Sequence, residues 1–318
     1  MCSVSRIRLF LSQTILLACF FGSPSSARLP VQHKDDAVSV SEFAARAASG
    51  DAYAQFKLAV YLYQGGYPPD YPSILVWLES ATHQHYPPAQ SMLGYLYEKG
   101  LGLPRDCAKA AENYRAAALQ GFSTAQNALA NLYYTGHGVQ KDLSIAFEWY
   151  RTAAEQGNPT GESNLGYLYY HGRGTRRDYA QAAKWFRAAA EQGDYSSERA
   201  LGYMYYKGLG VPVDYREAAH WISSAACQGD PHAQGDLGLL YENGRGVPLD
   251  YVAAYVWYTR AIAGGVKAAA ERRKSLVHLL TPKQLERAQA LLTTSTDEPR
   301  IFQTLSVLST SEAFVESH

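Results

Sequence analysis

A 36-residue echo runs through most of this chain and constrains its fold more than any other feature. The string Leu-Gly-x-Leu-Tyr begins at Leu93 and returns at Leu165 and Leu237. Leu129 and Leu201 begin copies with one substitution each, Ala130 for the glycine and Met204 for the second leucine. Glycines keep the interval at Gly100, Gly136, Gly172, Gly208 and Gly244, and again at Gly102, Gly138, Gly174, Gly210 and Gly246. Aspartates keep it at Asp106, Asp142, Asp178, Asp214 and Asp250. A fixed period of this size means one supersecondary unit stacked repeatedly. Such stacks bury a continuous core between neighbours and offer long surfaces to partners rather than enclosed catalytic pockets.

Within one copy, Leu93, Leu96 and Tyr97 fall at i, i+3 and i+4, the spacing of one helix face. Gly94 beside them costs a helix up to about 1 kcal/mol against alanine, so close approach of a neighbouring helix is expected there. Gly100-Leu101-Gly102 ends the helix, because glycine takes the left-handed cap without a Cβ penalty. Asp106 then stands where an N-cap carboxylate can accept the free amides of a second helix. That helix carries Ala110, Ala111, Tyr114, Ala117 and Ala118, a narrow apolar stripe, and Gly121 stops it. Later copies place Trp149, Trp185, Trp221 and Trp257 at one position of the second helix. The first copy, near Asp51 to Pro87, is degenerate and has His85 where the others have a stopping glycine. Ser41 to Ser49 reads as a lone second helix before it. Thr281-Pro282 reads as the N-cap and first residue of a closing helix that ends near Leu292. The expected fold is all-α: an α/α superhelical solenoid of about six helix-turn-helix repeats with end caps.

The block from Leu165 to Gly193, LGYLYYHGRGTRRDYAQAAKWFRAAAEQG, resembles the Sel-one-like repeat (SLR), a relative of the tetratricopeptide repeat. With its other copies the resemblance covers roughly residues 40–292. It implies a right-handed superhelix, adaptor roles in membrane-associated complexes, protein quality control and bacterial–host contact, and no shared catalytic residues. One bacterial branch carries a cysteine pair in each repeat and is linked to penicillin binding or hydrolysis. This chain lacks those pairs.

Lysine plus arginine and aspartate plus glutamate balance at 29 each, so the chain has no electrostatic footprint for nucleic acid. Residues 1–27 read as a signal peptide. Arg6 and Arg8 precede an apolar stretch from Leu9 to Gly22, shorter than the about 20 residues a membrane span needs. Ser25-Ser26-Ala27 supplies small residues for cleavage, so a periplasmic or secreted location is expected. A competing reading takes Leu16-Leu17-Ala18-Cys19 as a lipobox, which would leave Cys19 lipid-modified and the chain a membrane-tethered assembly factor. Residues 28–40 read as a flexible lead-in, 41–292 as the solenoid with its capping helices, and 293–318 as a disordered tail. Cys107 and Cys227 lie three repeats apart at different repeat positions, beyond disulfide reach.

The sequence contains no nucleophile elbow, no HExxH and no finger-spaced cysteines. His83 and His85 are two apart and would not share a helix face. Each Gly-x-Gly follows a helix rather than a strand, which reads as a turn and not a phosphate cradle. No cofactor, no metal site and no catalytic residue are expected. A hydrolase of cell-wall or β-lactam amides remains as an alternative by family analogy alone.

The positions that vary between copies say more. Two residues after each leading leucine stand Tyr95, Asn131, Tyr167, Tyr203 and Leu239, and five after it Glu98, Tyr134, Tyr170, Tyr206 and Glu242. In tetratricopeptide-like stacking, which this resembles, that face lines an inner groove. His171 and Lys207 come next along it, and Asn127 and Arg199 lie two before the leucine. Tyr95, Asn127, Asn131, Tyr134, Tyr167, Tyr170, His171, Arg199, Tyr203, Tyr206 and Lys207 therefore form the expected partner-binding groove. Tyrosine buries large area yet keeps a hydrogen-bonding end, which suits interfaces. The expected function is an exported scaffold or adaptor that holds a protein or peptide segment. Tyr170 and Tyr206 are its expected anchors and Tyr169 a core residue.

Overall fold

The computed structural model describes residues 34–65 and 69–294. The readings on residues 1–27, on Cys19 and on the tail beyond 294 lie outside the described residues. Fifteen helices and no strand occur among those described. A leading helix α1 (Lys34–Ala48) is followed by six pairs. These are α2 (Ala52–Gly65) with α3 (Tyr71–His83), α4 (Pro87–Lys99) with α5 (Cys107–Leu119), and α6 (Ser123–Thr135) with α7 (Leu143–Glu155). Then come α8 (Pro159–His171) with α9 (Tyr179–Glu191), α10 (Tyr195–Lys207) with α11 (Tyr215–Cys227), and α12 (Pro231–Asn243) with α13 (Tyr251–Ala263). Helices α14 (Ala268–Val277) and α15 (Pro282–Thr294) close the stack. Each helix up to α13 packs on the next in the chain and α15 packs back on α13, so the core is a series of adjoining clusters rather than one centre. The leading helix begins at Lys34, inside the stretch expected to be a flexible lead-in. Residues 34–48 hold neither glycine nor proline, so nothing local stops the helix from running back past Ser41.

From the second pair to the sixth, the turn inside the pair has one construction. In the fourth repeat Gly172 takes the left-handed cap at φ 66° and its amide donates to Leu168. Asp178 then donates its backbone N–H to the carbonyl of Tyr169 at 2.9 Å, while its carboxylate accepts from the Gln181 amide at 3.0 Å. The same backbone bond joins Asp106, Asp142, Asp214 and Asp250 to the tyrosines nine residues before them. Asp178→Ala should therefore cost about 0.5–2 kcal/mol in chemical denaturation, and Asp178→Asn much less. Equal losses for the two would give the carboxylate another role. The close approach expected at Gly94 is present: a Cβ there would stand 2.9 Å from the Tyr114 ring. In the first copy His85 holds φ 57°, the one non-glycine residue in the left-handed region among those described. Thr281 caps α15 as its sequence suggested, its hydroxyl accepting from the Gln284 amide at 3.3 Å. Cys107 and Cys227 are not joined in a disulfide. No helix among the described residues is long and apolar enough to cross a membrane.

A second repeating bond runs through the interior. Gln126 of α6 donates its side-chain amide to the Ala118 carbonyl at the end of α5 (3.2 Å) and accepts from Gln156 beyond α7 (2.7 Å). Gln55 and Gln234 reach the equivalent carbonyls of Ala47 and Ala226. In the fourth and fifth repeats this residue is glutamate: Glu162 accepts from Gln192 at 2.8 Å and Glu198 from Gln228 at 2.9 Å. A carboxylate cannot donate to the carbonyl of the preceding repeat unless it is protonated. Glu162 is 5% exposed, and burial raises its pKa above the usual 4.5 while the bond from Gln192 opposes the shift. A carboxyl with a raised folded pKa contributes stability below its unfolded pKa and loses it as pH rises through the folded one. Glu162→Gln should therefore stabilise the protein near pH 8, by about 1 kcal/mol if the amide regains the carbonyl bond. Its advantage should shrink as pH falls toward 4.5. Thermal midpoints of both proteins across that range measure the effect, and a gap independent of pH would refute it.

Candidate partner-binding face

The first helices of successive repeats stand side by side, α6 touching α8. Their outward positions carry the expected groove. Tyr167 and Tyr203 are its most open tyrosines, 38% and 42% exposed. Both stand two residues after the buried leucine of their helix, so the backbone that buries Leu165 and Leu201 turns these rings to the surface. His171 lies with its ring 4.3 Å from that of Tyr167. Burial first, and then Arg173, hold its pKa below the usual 6.5, so the imidazole is largely neutral at pH 7.

Tyr134 and Tyr206 also bridge repeats. Their phenol oxygens accept from Arg173 and Arg245, which belong to the turn of the following repeat. Arg173 lies over the rings of Tyr134 and Tyr167 at 5.8 and 5.4 Å, and Arg245 over Tyr206 and Tyr215 at 5.3 Å each. Lys207 stands 5.9 and 5.4 Å from the rings of Tyr203 and Tyr206. Tyr170 sets its edge against Tyr179 at 5.2 Å and packs on the core shared by the fourth and fifth repeats. Tyr134, Tyr170 and Tyr206 are therefore half-buried struts as well as surface residues.

The remaining members of the expected set divide. Asn127 accepts from Asn164 of the next repeat at 2.9 Å. Asn131 accepts from the Tyr150 hydroxyl of its own repeat, as Glu98 does from Tyr114 and Glu242 from Tyr258. Tyr95 is half-buried between clusters of adjoining repeats, with Lys99 5.8 Å from its ring. Arg199 places a buried Nε, which has no hydrogen bond, 3.7 Å from the Asp230 carboxylate. The face deepens between α10 and α12 into a cavity of about 410 Å³ whose lining includes Tyr203, Tyr206, Lys207, Leu239, Asp236, Arg245 and Arg272. Burial raises the pKa of Asp236, and Arg199 opposes the shift. Arg245 and Asp236 were not singled out by the sequence. Arg173 and Arg245 do share the middle of Gly-x-Gly two periods apart, but only their contacts give that position meaning. No group of three or more His, Cys, Asp or Glu placed to hold a metal occurs among the described residues.

The family model described as the Sel1 repeat matches residues 52–85, 87–122, 123–158, 159–194, 196–230 and 231–266. No curated protein matches the chain. Among solved structures, a protective antigen present in uropathogenic Escherichia coli strains, displaying an SLR fold, is 35% identical with a TM-score of 0.72. That match covers 79% of this chain but only 56% of the antigen's. A Sel1 repeat protein from Oxalobacter formigenes is 35% identical with a TM-score of 0.63, covering 68% of this chain and 88% of the other.

Proposed function

The chain belongs to the Sel1 repeat family, and on that premise we propose that it is an exported scaffold that holds a protein or peptide segment against its first helices. The family itself indicates a protein–protein interaction scaffold, generally without catalysis. The observation that carries the finer reading is the pair Tyr167 and Tyr203. They are open rings at one position of successive repeats, each flanked by a cation. Export rests on the basic and then apolar start of the chain and its small residues before Arg28. That a similar structure is a protective antigen supports it.

Interfaces concentrate their energy in a few aromatic anchors. Tyr203→Ala should therefore weaken partner capture from the native cell extract by about tenfold or more, with the thermal midpoint nearly unchanged. Tyr205→Ala, whose ring is 9% exposed and packs in the core, should lower the midpoint instead. Undiminished capture by the Tyr203 variant would refute the face. Tyr203 replaces Tyr170 and Tyr206 as the diagnostic anchor, because truncating Tyr170 removes its packing against Tyr179 and truncating Tyr206 removes the bridge from Arg245 of the next repeat.

A further inference from the structure

Resting on that reading, we propose that the segment held by this face is acidic, with carboxylates that meet Arg173, Lys207 and Arg245 across three successive repeats. The chain as a whole is neutral, so an excess of one sign here is local. Arg272 already pairs with Glu242 at 3.1 Å, and Arg199 lies against Asp230. Arg173, Lys207 and Arg245 have no carboxylate within ion-pair reach among the described residues. Tyrosines hold them instead: rings beneath all three, and a phenol oxygen accepting from each arginine.

That arrangement fixes the cations in place without neutralising them. An arginine that gives one N–H to a phenol keeps further donors in its planar fork, which fits a carboxylate in two-point contact. Asp236 is the one carboxylate lining the cavity, and Arg199 faces it. His171, largely neutral, adds little charge. The open rings of Tyr167 and Tyr203, with Leu239 in the cavity, leave apolar surface for the side chains between the acids. Electrostatic complementarity of this kind chiefly sets partner choice and association rate, and it weakens with salt.

The test is selection of random dodecapeptides on phage against the full chain. It is followed by fluorescence anisotropy with the strongest labelled peptide and with its copy in which Asp and Glu become Asn and Gln. The expected result is enrichment of acidic peptides that bind at least tenfold more weakly as the neutral copy. Lys207→Glu should weaken binding by a similar factor at an unchanged thermal midpoint. Arg245→Gln serves as the second variant, and its midpoint shows whether loss of the Tyr206 bridge disturbs the stack. Neutral or basic selected peptides that still require Tyr203 would overturn the acidic assignment and leave the scaffold face standing. Acidic peptides bound equally by both charge variants would overturn the placement. Selection of no peptide at all would overturn both the acidic assignment and the scaffold reading.

Discussion

Gly174→Ala should lower the unfolding free energy by about 3 kcal/mol or more. Gly174 holds φ +71°, and a Cβ there would stand 2.1 Å from the carbonyl oxygen of Leu143. Leu143 opens α7, the second helix of the preceding repeat, so the new atom meets backbone that cannot rotate aside. The left-handed conformation costs alanine about 1–2 kcal/mol, and forcing an atom into packed surroundings adds about 1–3 kcal/mol. Gly193→Ala separates the two effects: it holds φ +89° with nothing within 4 Å, so only the conformational cost applies. Denaturant unfolding of the three proteins reads the difference. Equal losses at the two glycines would mean that the repeats do not meet at Gly174.

Trp257→Ala should cost about 3–5 kcal/mol, and Trp185→Ala clearly less. The two tryptophans hold the same position in their repeats, yet Trp185 is half-buried and Trp257 fully buried. The closing helices make the difference. Beyond the sixth repeat, Ala269 and Leu276 of α14 join the Trp257 cluster, Leu291 of α15 packs against it, and Ala288 covers Val252 and Val256. The loss should therefore appear first as faster amide exchange in α13 to α15, since stacked repeats open locally. Trp257→Phe should retain most of the stability. The indole Nε1 is buried without a hydrogen bond, so removing it offsets part of the lost contact area. Equal losses for the alanine variants at 185 and 257 would show that the two closing helices add nothing to this site.

Much of the architecture was legible because it is local. The glycine that ends a helix and the aspartate that begins the next act within a few residues of themselves, and Gly172 and Asp178 do so as their spacing indicated. A further local signal marks the starts of the first helices. Asn158, Asp194 and Asp230 recur at the same period and cap the first helices of three repeats. The lead-in is the opposite case: polar residues without apolar periodicity suggested a loop over 28–40, yet a helix begins at Lys34. The outward face of the first helices was legible only in part. Period and helix face identified Tyr167 and Tyr203 as outward rings, but assigned Tyr134, Tyr170 and Tyr206 to the same role. Tyr134 and Tyr206 lie nearer the turn, where an arginine of the next repeat reaches back over them, and Tyr170 packs there against Tyr179 of its own repeat.

The sequence by itself determined the period, the helix pair, the places where helices stop and the residues that cap them. Each depends on backbone preferences and hydrogen bonds closed over a few residues. Only the tertiary structure decided which repeated positions touch. Gln126 finds Gln156 at a separation of 30 residues, and Tyr134 finds Arg173 at 39. The first pair joins the two ends of one repeat and the second joins neighbouring repeats at different repeat positions, because the amount by which helices rise and turn on one another is set by side-chain packing. No local signal carries that amount, so the buried Gln–Glu ladder and the line of cations held on tyrosines emerge only once the repeats are stacked.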